Sequence, residues 1–172
     1  HNTLRHHGNT CDLGPLIRQS QQQRVWDFLS DAQVAGIAMV AQGVVVDEAP
    51  ESGFYQAPTL LRDVPANHRL AQEEVFGPVL AAMSFRDENH AVELANATRF
   101  GLVAGVWTAD GARQFRMARR VKSGQIFINN YGAGGGVELP FGGVKSSGYG
   151  REKGLEALYG FTTLKTIAIR HG

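Results

Sequence analysis

Apolar residues along this chain alternate between two spacings, and the alternation predicts an order of elements. From residue 20, Val25, Phe28, Leu29 and Ala32 recur at helical spacing, with Gln21, Gln22, Gln23, Arg24 and Asp27 mostly between them. Gly36 is a plausible stop for that helix. "IAMVAQG" then reads as a short strand, residues 44–54 as a loop, and "APTLLRDVP" as a strand closed by Pro65. "VLAAMSF" is apolar on both faces, as expected of a strand covered on two sides.

In "DENHAVELANAT" Asp87 can cap a helix whose inward stripe is Ala91, Leu94 and Ala95. "GLVAGVWTAD" is again a strand. "GARQFRMARRV" is a helix with Phe115, Ala118 and Val121 inward and basic residues in its last turn, where they suit the helix dipole. "GQIFINN" is the next strand. This order predicts an α/β fold, a mostly parallel sheet covered by helices. Beyond Asn130 the glycine-rich run "YGAGGGVELPFGGVKSSGYGREKG" requires backbone shapes that side chains forbid, or close approach. "LEALYG" is a short helix, and "FTTLKTIAIR" a terminal strand able to join this sheet or a partner's.

Composition narrows the classes. The 172 residues are 43% hydrophobic and 19% charged, with a formal net charge of +1, so neither nucleic acid nor a membrane surface is expected as a partner. The longest apolar runs are broken by Gly and Gln and fall short of a membrane span. A single cysteine, Cys11, excludes an internal disulfide framework and favours a reducing, cytoplasmic setting.

Candidate chemistry is sparse. Gly132-Ala133-Gly134 follows a strand as a dinucleotide fingerprint would, but Val137 and Pro140 break the motif. "GGVKSSG" hints at a phosphate loop, yet Val144 stands where a glycine should precede Lys145. His6, His7 and Cys11 lack a second metal-binding element, and His68, His90 and His171 read as solvated residues. Arg119, Arg120 and Lys122 read as a solvated helix end. Glu73 and Glu74, packed against Val75-Phe76-Gly77-Pro78 at the entrance to a strand, stand out. A carboxylate pair on an exposed loop is usually idle, but one fixed beside an aromatic ring suits a ligand's hydroxyls.

Together, "DLGPLI", "APTLL", "EEVFGPVL", "ANATRFGLVAGVWTAD", "SGQIFINN", "LPFGGVKSSGYGREKG" and "LKTIAIR" resemble, in order and spacing, the C-terminal half of the catalytic domain of NAD(P)-dependent aldehyde dehydrogenases. The resemblance covers nearly the whole chain from Asp12. It implies that Glu74 holds the hydroxyls of the nicotinamide ribose and that Phe76 packs beside the nicotinamide, a role that suits a carboxylate in a partly dry site. It assigns Gln21 and Arg24 to the adenosine ribose, Phe141 to an aromatic wall of the substrate tunnel, and Gly135 to a place where some relatives carry another aromatic. Asn129 and Asn130 face substrate on this reading, or cap the end of their strand.

The resemblance also implies what is missing. The family's nucleophilic cysteine sits in a Gly-Gln-Cys context that these residues do not contain, and its general-base glutamate lies earlier still. The expectation is therefore an unpatterned terminus at 1–11, a partial catalytic domain at 12–160 and an oligomerisation strand with its tail at 161–172. As such a piece it should be inactive alone, bind NAD or NADP weakly or not at all, and form a homo-oligomer. In the intact enzyme the substrate is an aldehyde. The rival reading is a non-catalytic interaction or assembly module derived from the same fold.

Overall fold

A computed structural model describes residues 3–4, 13–47, 49–132 and 136–172, the first pair by main chain only. The chain divides into two compact units, His1–Phe85 and Arg86–Gly172, each described by itself. Cys11, the histidines before it and Gly135 lie outside the described residues.

In the first unit, β1 (Thr3–Leu4) pairs in parallel with β3 (Val44–Val45), while α1 (Gln19–Val34) covers a sheet of order β2-β4-β5. The strands of that sheet are β2 (Ala38–Gln42), β4 (Thr59–Arg62) and β5 (Val79–Ala81). β4 runs antiparallel to β2, with a bulge between Met39 and Ala41, and parallel to β5. The apolar stripe of α1 is the predicted one: Val25 and Phe28 are fully buried and Ala32 nearly so, against Leu61, Val64, Leu70 and Val75. Gly36, at φ +70°, ends the helix as expected. The Ile37 N–H donates to the Ala32 carbonyl and the Gly36 N–H to the Gln33 carbonyl, a Schellman close that needs a left-handed residue between them.

The outer face of this sheet differs from the expectation of two-sided cover. Leu80 on β5 is 66% exposed, because α1 shields only the face that carries Leu61. A short helix, α2 (Arg69–Gln72), was not legible in the hydrophobic pattern; His68 starts it, its Nδ1 accepting the Leu70 N–H. His68 is thus a helix cap and not merely a solvated side chain.

The second unit is a β-α-β turn preceded by a helix. α3 (Glu88–Asn96) and α4 (Gly111–Arg120) flank a parallel pair, β6 (Val103–Val106) and β7 (Gln125–Ile128). Both helices begin on aspartates, Asp87 accepting the His90 N–H and Asp110 the Arg113 N–H. Their inward stripes match those predicted in part, with Ala91 packed on α3 and Val121 buried at the end of α4. On α3 Val92 is buried and Ala95 exposed; on α4 Met117 is buried and Phe115 is 70% exposed. The reason on α4 is phase: Gln114, Met117, Ala118 and Val121 share one face, and Gln114 fastens it by donating to the Thr108 carbonyl.

α3 and α4 are also joined by charge. Arg116 forks onto both oxygens of Glu88 at 2.8 and 2.7 Å, with Arg113 and Arg120 at 3.4 and 3.7 Å. Residues 155–161 form a 3-10 helix, and residues 162–172 form neither helix nor strand within this chain. The terminal strand is therefore not part of either unit's sheet, and Leu164, Ile167 and Ile169 are largely exposed.

The fork from Arg116 holds the Glu88 carboxyl at about 2, well below its ordinary value of 4.5. A carboxylate depressed on folding contributes stability that is complete above its unfolded value and lost as pH falls toward the folded one. Acid unfolding of the wild-type chain should therefore steepen between about pH 4.5 and 2, and Glu88→Gln should flatten that dependence. Denaturant melts across this range, followed by circular dichroism, read the difference.

Candidate functional site

The two glutamates at the entrance to β5 have different fates. Glu73 ends α2, its N–H donating to the Arg69 carbonyl, and its carboxylate lies 3.8 Å from both Arg24 and Arg69. Arg69 also pairs with Asp31 on α1 and stacks over the Phe28 ring at 4.0 Å. Glu73 is thereby part of a latch between α1 and α2. The Glu74 side chain is exposed and makes no hydrogen bond or ion pair among the described residues. Of the pair, Glu74 is the carboxylate left to accept hydroxyls from outside.

Phe76 sits beside it in an unusual state. Its φ is +61° and its ring is 67% exposed. A bulky residue in the left-handed region costs about 1–3 kcal/mol and persists only where its surroundings hold it. Here the holding groups come from α1. Gln21 Nε2 donates to the Phe76 carbonyl at 2.6 Å and to the Val75 carbonyl at 3.3 Å, and Arg24 Nη2 donates to the Glu74 carbonyl at 2.7 Å. Gln21 and Arg24 thus reach the motif's backbone in this structure.

Gly77 completes the loop. A Cβ there would overlap a Val25 methyl, so only glycine lets the chain press against α1 before Pro78. In the sequence its only signal is its place between an aromatic and a proline. The Val25 methyl that it meets belongs to the core.

The second group of predicted residues lies in the other unit. Asn129 follows β7 at φ +50°, and its carboxamide is committed on both sides to Thr108: Oδ1 accepts the Thr108 N–H and Nδ2 donates to the Thr108 carbonyl. It ties the end of β7 to the end of β6. Asn130 is exposed, its Oδ1 accepting the N–H of Tyr131. Phe141 is half-buried and bridges to Glu152 through two 2.7 Å backbone hydrogen bonds, with the Lys153 ammonium 5.7 Å from its ring centre.

The glycine run is ordered by close approach where it is described. A Cβ on Gly124 would overlap the Gly142 carbonyl oxygen, and Arg151 Nη1 donates to the Gly143 carbonyl at 3.0 Å. Lys145, the lysine of the broken phosphate-loop pattern, donates to the Asn96 and Thr98 carbonyls at the end of α3. Its ammonium closes a helix. Among the described residues no group of His, Cys, Asp and Glu is arranged to hold a metal ion, and no helix is long and apolar enough to cross a membrane.

Comparison with known proteins bears on the family and the fold. The aldehyde dehydrogenase family profile matches residues 3–167. Betaine aldehyde dehydrogenase 1 of Rhizobium meliloti (strain 1021) is 40% identical over 160 residues, covering 93% of this chain and 33% of its own length. A Burkholderia cenocepacia structure, solved as a candidate aldehyde dehydrogenase, is 77% identical with a TM-score of 0.89, covering 95% of this chain and 34% of that one. The Mycobacterium tuberculosis aldehyde dehydrogenase complexed with NAD+ is 35% identical with a TM-score of 0.82, covering 90% and 31%. The chain spans about a third of the length of the relatives that it matches. With the profile spanning nearly every residue and solved relatives superposing on the same fold, this chain belongs to the aldehyde dehydrogenase family.

Proposed function

We propose that this chain is the part of an NAD(P)-dependent aldehyde-oxidising enzyme that receives the nicotinamide end of the cofactor and lines the approach of the aldehyde. The observation that carries the proposal is the division of labour at the strand entrance: Glu73 is tied into ion pairs, while Glu74 is exposed and without a side-chain partner beside the exposed Phe76 ring. Glu74 accepts the two ribose hydroxyls, and Phe76 lies along the nicotinamide. Two acceptor oxygens suit vicinal hydroxyls, and an exposed ring suits a flat heterocycle, so the residues present fit the group. When bound, the nicotinamide accepts a hydride from the substrate.

In the second unit, Phe141 supplies an apolar wall for the aldehyde, with Asn129 and Asn130 shaping the approach. Asn129 does so through the backbone that it ties down, since its carboxamide is occupied. The chain alone does not turn over aldehyde, because its residues contain no Gly-Gln-Cys nucleophile motif. Its single cysteine supports a cytoplasmic setting.

The exposed tail supports assembly as well. Leu164 is 98% exposed, with Ile167 and Ile169 at 74% and 73%, on a segment without strand partners of its own. A partner's sheet edge satisfies such a segment's amides and carbonyls and covers its apolar side chains. The chain is accordingly a homo-oligomer joined through residues 162–170.

Purified alone, the chain should give no aldehyde-dependent NAD(P)H absorbance above buffer. Turnover that survived Cys11→Ala, or turnover abolished by it, would overturn the reading. NAD should bind in the millimolar range or more weakly, about 4 kcal/mol or less, and micromolar binding by calorimetry would contradict it. Light scattering should report a dimer or larger. A clean monomer over a wide concentration range, with the tail protected from proteolysis, would remove the proposed assembly.

A further inference from the structure

Non-glycine residues with left-handed backbone occur at Asp63, Phe76, Asn129, Lys145 and Lys153 among the described residues. Four of them are held in part by their own side chains. Asp63 accepts from Arg62 and Ser84, Asn129 brackets Thr108, Lys145 donates to two carbonyls of the α3 end, and Lys153 lies over the Phe141 ring. Phe76 has no polar side chain, and its ring is mostly in solvent. Its fastening comes from another element: the Gln21 carboxamide on the Val75 and Phe76 carbonyls, and the Arg24 guanidinium on the Glu74 carbonyl.

The geometry points to Gln21 and Arg24 as positioning residues that hold the Glu74–Phe76 backbone in its left-handed turn, and through it aim the Glu74 carboxylate and the Phe76 ring at the nicotinamide end of the cofactor. This rests on the proposed role of Glu74 and Phe76, and it changes what α1 contributes. On the reading from resemblance, Gln21 and Arg24 act by touching the adenosine ribose. In the structure the Gln21 amide and the Arg24 Nη2 are directed at consecutive carbonyls of residues 74–76.

The clamp has a physical logic. A left-handed aromatic residue relaxes toward negative φ unless its peptide groups are held. Such a relaxation would rotate the flanking peptide planes and move the Glu74 side chain with them. Gln21 restrains two carbonyls from one amide, and Arg24 adds a charge-assisted bond while its guanidinium lies over the buried Phe28 ring, 4.9 Å from the ring centre. Phe28 is fixed in the core, so Arg24 reaches the loop from a rigid base.

The test uses the full chain, isotope-labelled, with Gln21→Met, which keeps length and removes the donor, and with Arg24→Ala and Arg24→Lys. The first readout is the Phe76 backbone itself, through its amide-to-Hα coupling and intraresidue Overhauser effect, which report the sign of φ. The expected result is a left-handed signature in the wild type and in Arg24→Lys, weakened in Arg24→Ala and lost in Gln21→Met. Resonances of Val25, Phe28 and Ala32 should stay in place and show that the fold is intact. An unchanged Phe76 signature in Gln21→Met would overturn the clamp. The second readout separates positioning from direct contact by titrating nicotinamide mononucleotide and adenosine monophosphate separately. Gln21→Met should weaken the nicotinamide nucleotide about fivefold and leave the adenine nucleotide unchanged; the opposite pattern would overturn positioning in favour of an adenosine contact. If the nicotinamide nucleotide does not perturb Glu74 or Phe76 even in the wild type, the proposed cofactor role of that loop fails, and the Phe76 backbone signature alone decides the clamp.

Discussion

The first unit depends on the seating of α1 against β4. Phe28 and Leu61 are fully or almost fully buried in that contact, with Val25 and Ala32 on the same stripe. Burial of this kind contributes roughly 1.5–3 kcal/mol for each large side chain and fixes the helix in rotation as well as in place. Fixing the rotation is what matters for the site. With Val25 and Phe28 facing in, Gln21 and Arg24 stand on the flank nearest the loop at residues 74–76, and Arg24 is propped on the Phe28 ring. A rotation of α1 by one position would aim both side chains elsewhere.

The same economy appears at the other end of the loop. Arg69 spans Asp31, Glu73 and the Phe28 ring, so a helix of four residues is secured by its neighbours and not by its own length. Exposed ion pairs of this sort contribute little stability singly. Their effect here is geometric, because they occupy Glu73 and leave Glu74 as the available carboxylate. Two adjacent residues with the same chemistry are thereby given different surroundings, by one neighbour on α2 and one distant residue on α1.

In the second unit, polar groups play the part that apolar burial plays in the first. Glu88 gathers three arginines of α4, Asn129 ties two strand ends, Asn96 accepts the Lys122 N–H and donates to the Arg120 carbonyl, and Lys145 closes α3. The apolar cluster there is small, centred on Val92, Met117 and Val121. Short helices over a two-stranded ladder leave much apolar surface open, including Phe115 and Trp107.

Much of this was legible in the residues themselves. The stripe of α1, its glycine stop, the Asp87 cap, the strand cores and most of the order of elements follow from local spacing and turn chemistry, which act between near neighbours. The family followed from motifs in order along the chain. The stripes of α3 and α4 were read correctly at Ala91 and Val121 and wrongly at Ala95 and Phe115, since several apolar residues compete on a short helix and only the packed neighbour selects among them. The short helix α2 was missed because four residues give no period to read. Which glutamate is tied and which is available, why Phe76 bears a left-handed backbone, and where Gln21 and Arg24 point were decided by tertiary structure alone. The bonds from Gln21 and Arg24 to the loop span fifty or more positions, a distance over which sequence pattern carries no direction.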